Sequence, residues 1–91
     1  MDATNQEKRL AMVAIIVEDF DSVEKLNKLM HENGQYIIGR MGLPCRERGV
    51  SLISVGLDAP SDVISSFSGK LGMLPGVSAK TVYAKTQAVQ L

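Results

Sequence analysis

Cysteine occurs once in these 91 residues, at Cys45, and no CxxC pair exists. No internal disulfide can form, and the chain reads as intracellular and reduced. Histidine also occurs once, at His31. One soft and one borderline ligand per chain do not complete a tetrahedral metal site. Net charge is missing as well, since ten acidic residues balance ten basic ones. That balance lacks the electrostatic footprint of a nucleic-acid-binding protein and gives no pull toward an anionic membrane. No apolar run approaches membrane-spanning length, and the opening "MDATNQEK" has no signal-peptide core. Walker loops, GxGxxG, HExxH and paired catalytic carboxylates do not occur, and the "GKLG" around Lys70 lacks the glycine spacing of a phosphate loop. The expectations are a cytoplasmic protein that is not an enzyme, with no catalytic or metal-binding residues, no cofactor, no membrane contact and no direct nucleic-acid binding.

What remains is 45% apolar, enough for one core in one domain whose stability depends on association. Arg9 to Val17, "RLAMVAIIV", is an unbroken β-branched run of strand length. Asp21 or Ser22 supplies an N-cap, Glu24 completes a capping box with Asp21, and Val23, Leu26, Leu29 and Met30 recur at helical spacing. Gly34 is suited to end that helix in the left-handed conformation. Tyr36 to Leu43 and Val50 to Leu57 read as strands joined by a hairpin. Pro60 opens a second helix whose stripe is Val63, Ile64, Phe67 and Leu71, and Val77 to Ala84 is the last strand. The order is βαββαβ. It predicts an α+β, ferredoxin-like fold, a four-stranded antiparallel sheet with two helices on one face.

In such a sheet the uncovered face should be polar. The first strand is apolar on both faces, with Leu10, Met12, Ala14 and Ile16 on one and Ala11, Val13, Ile15 and Val17 on the other. The third strand repeats this more weakly. A patch of that kind is seldom left open on a monomer, so the expectation is a homo-oligomer, a dimer or tetramer, that covers the open face or continues the sheet. In the second strand, strict alternation puts Ile37, Gly39, Met41 and Leu43 toward the helices and Arg40 on the open face with Tyr36, Ile38 and Gly42. An unpaired guanidinium there would be costly. Arg40 is therefore either an assembly residue or a ligand residue, and Gly39 and Gly42 beside it mark a bulge or a close approach. Arg46, Glu47 and Arg48 in the turn are a solvated charge cluster, or Arg46 and Arg48 form an anion-binding rim with Arg40.

The phrases "RLAMVAIIVED", "SVEKLN", "IIGRMGLPCRERGVSLISV" and "SGKLGMLPGVSAKT" resemble the family of proposed regulators of the iron-only hydrogenase system. These are stand-alone ACT-like domains, similar to the regulatory domain of the nickel-responsive repressor. The resemblance covers residues 8 to 85, and its most specific part is the strand-hairpin-strand phrase. It implies an oligomeric regulatory or sensing module, a transcriptional regulator in anaerobic hydrogen metabolism, acting through a small-molecule effector or a protein partner at subunit interfaces. It places a flexible arm at 1–8, a single ACT-like domain at 9–85 and a tail at 86–91.

The chain departs from related patterns in two places. Amino-acid-binding ACT domains carry a glycine between the first strand and helix, where this chain has "EDFD", Glu18 to Asp21. The nickel repressor's several metal-binding histidines and its DNA-binding arm have no counterpart here. Two alternatives to the sensing module stay open. One is a small metal- or thiol-dependent protein using the Cys45 hairpin, where Arg46 and Arg48 would favour a thiolate and His31 would join an intersubunit site. In the ordinary reading Cys45 is an exposed or half-packed cysteine and His31 sits at the negative end of a helix. The other alternative is a purely structural assembly partner.

Overall fold

The computed structural model describes residues 7–85. Of the expected arm, residues 1–6 lie outside the described residues, as does the whole of the expected tail at 86–91. Strand β1, Lys8–Val17, leads through a short 3-10 turn at Phe20–Ser22 to helix α1, Val23–Glu32. A second such turn, Gly34–Tyr36, precedes strand β2, Ile37–Cys45, and a third, Arg46–Arg48, joins it to strand β3, Val50–Pro60. Helix α2, Ser61–Gly72, and strand β4, Val77–Tyr83, complete the order. The sheet runs β2-β3-β1-β4 with every neighbouring pair antiparallel. This is the α+β, ferredoxin-like arrangement expected from the order of elements.

Period-two alternation builds the core. Ala11, Val13, Ile15 and Val17 of β1 are buried, and Val55, Leu57 and Ala59 of β3 lie beside them on the same face. Helix α1 contributes Leu26 and Met30, and α2 contributes Ile64, Phe67 and Leu71. These helical positions recur at three- and four-residue spacing and close over the central strands. Val77 adds the start of β4.

Three local expectations are corrected. The side chain of Asp21 caps nothing; instead Asp19 accepts a 2.9 Å hydrogen bond from the Asp21 N–H. Ser22 occupies the N-cap of α1, but its buried hydroxyl donates 2.6 Å to the carbonyl of Pro75, so it ties two loops together rather than capping its helix. Gly34 does not take the left-handed conformation. Asn33 ends the helix, its side-chain amide donating 2.9 Å to the Leu29 carbonyl, which also accepts from the Asn33 N–H at 3.2 Å. The left-handed glycines are Gly49, closing the hairpin at φ 66°, and Gly76, entering β4 at φ 68°. At Gly76 a Cβ would lie 2.5 Å from Cβ of Asp19, so only glycine fits.

Candidate functional site

The β2 ladder carries an irregularity. Ile37 pairs with Leu57, but the next partners are Gly39 and Gly56, leaving Ile38 as an extra residue. Such a bulge reverses the facing of everything beyond it. Arg40 therefore pairs with Val55, Gly42 with Ile53 and Pro44 with Ser51, all on the helix side of the sheet. Met41 and Leu43 pair with Ser54 and Leu52 on the open side. The expected placement of Arg40 and Gly42 on the open face is thus overturned, as is that of Gly39, Met41 and Leu43 toward the helices. The arrangement is physically sensible, since it gathers the apolar side chains on the apolar face and leaves the guanidinium at an edge that no helix covers, in water.

The open face carries exposed apolar side chains on every strand, most densely on β1 and β2, while β4 sets Ser78 and Lys80 beside Val82. Leu10, Met12 and Ile16 of β1, Ile38, Met41 and Leu43 of β2, Leu52 of β3 and Val82 of β4 are all substantially exposed there. Its charged residues, Lys8, Asp58 and Lys80, stand at the ends of the central strands or on the β4 edge. Two shallow depressions lie between apolar ridges. One passes over Gly56 between Met12, Ile38 and Val82, and the other over Ala14 and Ser54 between Ile16, Met41, Leu43 and Leu52. A Cβ at Gly56 would meet nothing closer than the Met12 sulfur at 3.6 Å, so the fold itself does not require glycine there.

On the helix side, β2, α1 and the β1–α1 turn enclose a groove of about 290 Å³. Its walls are Phe20, Val23 and Leu26 on one side and Arg40, Gly42 and Pro44 on the other, with Val17 and Ile53 of the sheet between them, and Asn27 and Ser51 add polar atoms. Arg40 is the charged residue in this lining and makes no side-chain hydrogen bond among the described residues. Of the residues singled out in the sequence, Arg40 and Gly42 meet in this groove. Gly39 lies on the other face opposite Gly56, and Arg46 and Arg48 sit exposed in the hairpin turn outside the groove lining. Phe20, Asn27, Pro44 and Ser51 went unnoticed in the sequence. The one available signal was an aromatic residue inside the acidic turn "EDFD".

Residues 9–81 match a family model described as "TM1266-like: Iron-only hydrogenase system regulator, putative". The chain belongs to this family. Among solved structures it is similar to the uncharacterized protein TM1266 from Thermotoga maritima, at 36% identity with a TM-score of 0.83, over 87% of this chain and 100% of that one. It is also similar in fold to the C-terminal domain of the MgtC protein from Mycobacterium tuberculosis, with 10% identity, a TM-score of 0.67 and 99% of both chains covered. A formyltetrahydrofolate deformylase from Pseudomonas putida shares the fold over 80% of this chain and 28% of its own, at 10% identity and a TM-score of 0.59. No curated protein matches the chain. In this member of the regulator family Cys45 is half-buried at the end of β2, and His31 is exposed in the last turn of α1. Among the described residues no group of three or more His, Cys, Asp or Glu side chains is placed to hold a metal. No helix among them is long and apolar enough to cross a membrane.

Proposed function

We propose that the chain is a non-enzymatic regulatory module that works as a homo-oligomer, with a second copy of the same chain covering the open sheet face. The observation that carries this reading is the apolar surface running from β2 across β3 and β1 as far as Val82 of β4. Its chemistry favours a copy of itself. The centre is free of charge and the margins carry both signs, Lys8 and Lys80 against Asp58, which is the apolar-core, polar-rim anatomy of an interface. Ridges at Met12 and Ile38 stand beside depressions floored by Gly56, Ala14 and Ser54. One surface thus holds both the knobs and the holes that a two-fold interface demands of a single patch. The chain's zero net charge sets no electrostatic barrier to self-association.

The membership supports regulation as the purpose of that assembly, and control of an iron-only hydrogenase system as its setting. A ligand or partner protein acts on such a module by binding one assembly geometry better than another, shifting the population by that difference in affinity. Sedimentation at micromolar concentration tests the reading. The expected result is a dimer or tetramer that falls to monomer when Met12→Asp and Ile38→Asp are combined. A wild-type chain that sediments as a monomer overturns it.

A further inference from the structure

Three features converge on the groove between β2 and α1. The bulge at Ile38 turns Arg40 into the groove and away from the open face, and re-aiming a side chain is a recurrent use of bulges. Gly42 forms part of the groove wall, yet a Cβ there would meet no atom within 4 Å, and its φ lies outside the left-handed region. Glycine inside a strand weakens it, so at this position it leaves room for something other than the protein. Phe20, one of the chain's two phenylalanines, stands 59% exposed on the opposite wall.

We infer that this groove is a binding site for a small monocarboxylate with an apolar body and no amino group, held by Arg40 at its carboxylate and by Phe20, Val23 and Pro44 along its apolar part. The volume, about 290 Å³, falls just below the roughly 300–1,000 Å³ found for drug-sized ligand sites, which suits a small ligand. Arg40 supplies a single positive charge with a planar fork that fits a carboxylate through two parallel hydrogen bonds. With no second cation in the lining, a phosphate dianion would be only half neutralised. The lining also contains no acidic side chain to receive an α-ammonium, which distinguishes the acid from the corresponding amino acid. The start of the first strand, Lys8, and the end of the last, Tyr83, lie at the other end of the sheet from Val17, Pro44 and Ser51. The groove is on the opposite side of the sheet from the proposed assembly face, so the two readings fail independently.

The experiment is titration of the full chain with phenylacetate and 4-methylpentanoate, followed by amide and side-chain NMR shifts. Phenyl phosphate, phenylalanine and leucine serve as comparison ligands. Saturable shifts are expected at Gly42, Ser51 and the Asn27 side-chain amide with the two acids. Affinity should fall about tenfold or more in Arg40→Met, the effect of removing one charge-assisted contact. Gly42→Leu should abolish binding by filling the groove, and both variants are checked for unchanged thermal unfolding. Arg40→Lys, which keeps the charge and loses the fork, serves as the second variant at that position and should bind with intermediate affinity. The inference is overturned if neither acid produces saturable shifts at those groups, or if Arg40→Met or Gly42→Leu binds as the wild type does. It is equally overturned if leucine or phenylalanine binds as tightly as its amino-free counterpart, or if phenyl phosphate binds more tightly than phenylacetate.

Discussion

β4 and β2 are the two edges of one sheet, yet α2 packs against the inner face of β4, where Val77 is buried and Ala79, Thr81 and Tyr83 are half-buried, while no helix closes over the inner face of β2. There Arg40, Gly42 and Pro44 are exposed along the groove, and α1 reaches only far enough to form its far wall. Both edge strands belong to the same kind of crossover, so topology does not explain the difference. It follows from side-chain chemistry. β4 offers Val77, Ala79, Thr81 and Tyr83 to α2, whereas β2 beyond Ile37 offers a cation, a glycine and a proline. One edge is built as part of the core and the other as a surface.

That contrast can be broken from the covered side with the largest effect. Phe67 is 1% exposed among the residues that join α2 to the sheet, and Phe67→Ala should cost about 3–5 kcal/mol through lost transfer energy and an unfilled cavity. Denaturant unfolding measures this, and a loss below about 1 kcal/mol would mean that α2 does not hold its edge of the sheet. The glycines then sharpen the comparison. Gly76→Ala, at the entry to β4, forces a left-handed alanine and drives its Cβ against Asp19, and should cost at least about 2 kcal/mol. Gly42→Ala, in β2, meets no neighbour and should raise stability by about 0.5–1 kcal/mol, because alanine restricts the unfolded chain more than glycine does. A clear destabilisation by Gly42→Ala would show that the β2 edge has a packing role after all.

The order of elements and the core face of each helix were legible in the sequence because they depend on local periodicity. The apolar stripe Leu26–Met30 and the run Ile64, Phe67, Leu71 each bury as their spacing demands. The double-sided apolarity of β1 was equally plain. The facing of β2 was misread because strict alternation counts residues, and a bulge adds one without any change in composition. Gly39 was a visible hint of irregularity, but it does not say on which side of itself the extra residue falls. The caps were misread for a different reason. Ser22 has the right chemistry to cap α1, and only the folded chain brings the Pro75 carbonyl close enough to take its hydroxyl instead. The groove was half visible, through Arg40 and Gly42, since its other wall comes from α1 and the turn before it.

The meeting of the β1–α1 turn with the loop ahead of β4 bears on the order in which the molecule assembles. The Glu18 N–H donates 2.7 Å to the Gly76 carbonyl, and the Ser22 hydroxyl spans 53 positions of sequence to reach Pro75. Neither bond can form until the second crossover has been laid down and its last strand has docked against β1, so the first loop of the fold is finished by the arrival of the last strand. Closure of so long a loop carries an entropic cost that local contacts do not. The Glu18 amide is therefore an internal reporter. Its protection from hydrogen exchange follows the docking of β4, separately from the protection of the β1–β3 ladder at the centre of the sheet.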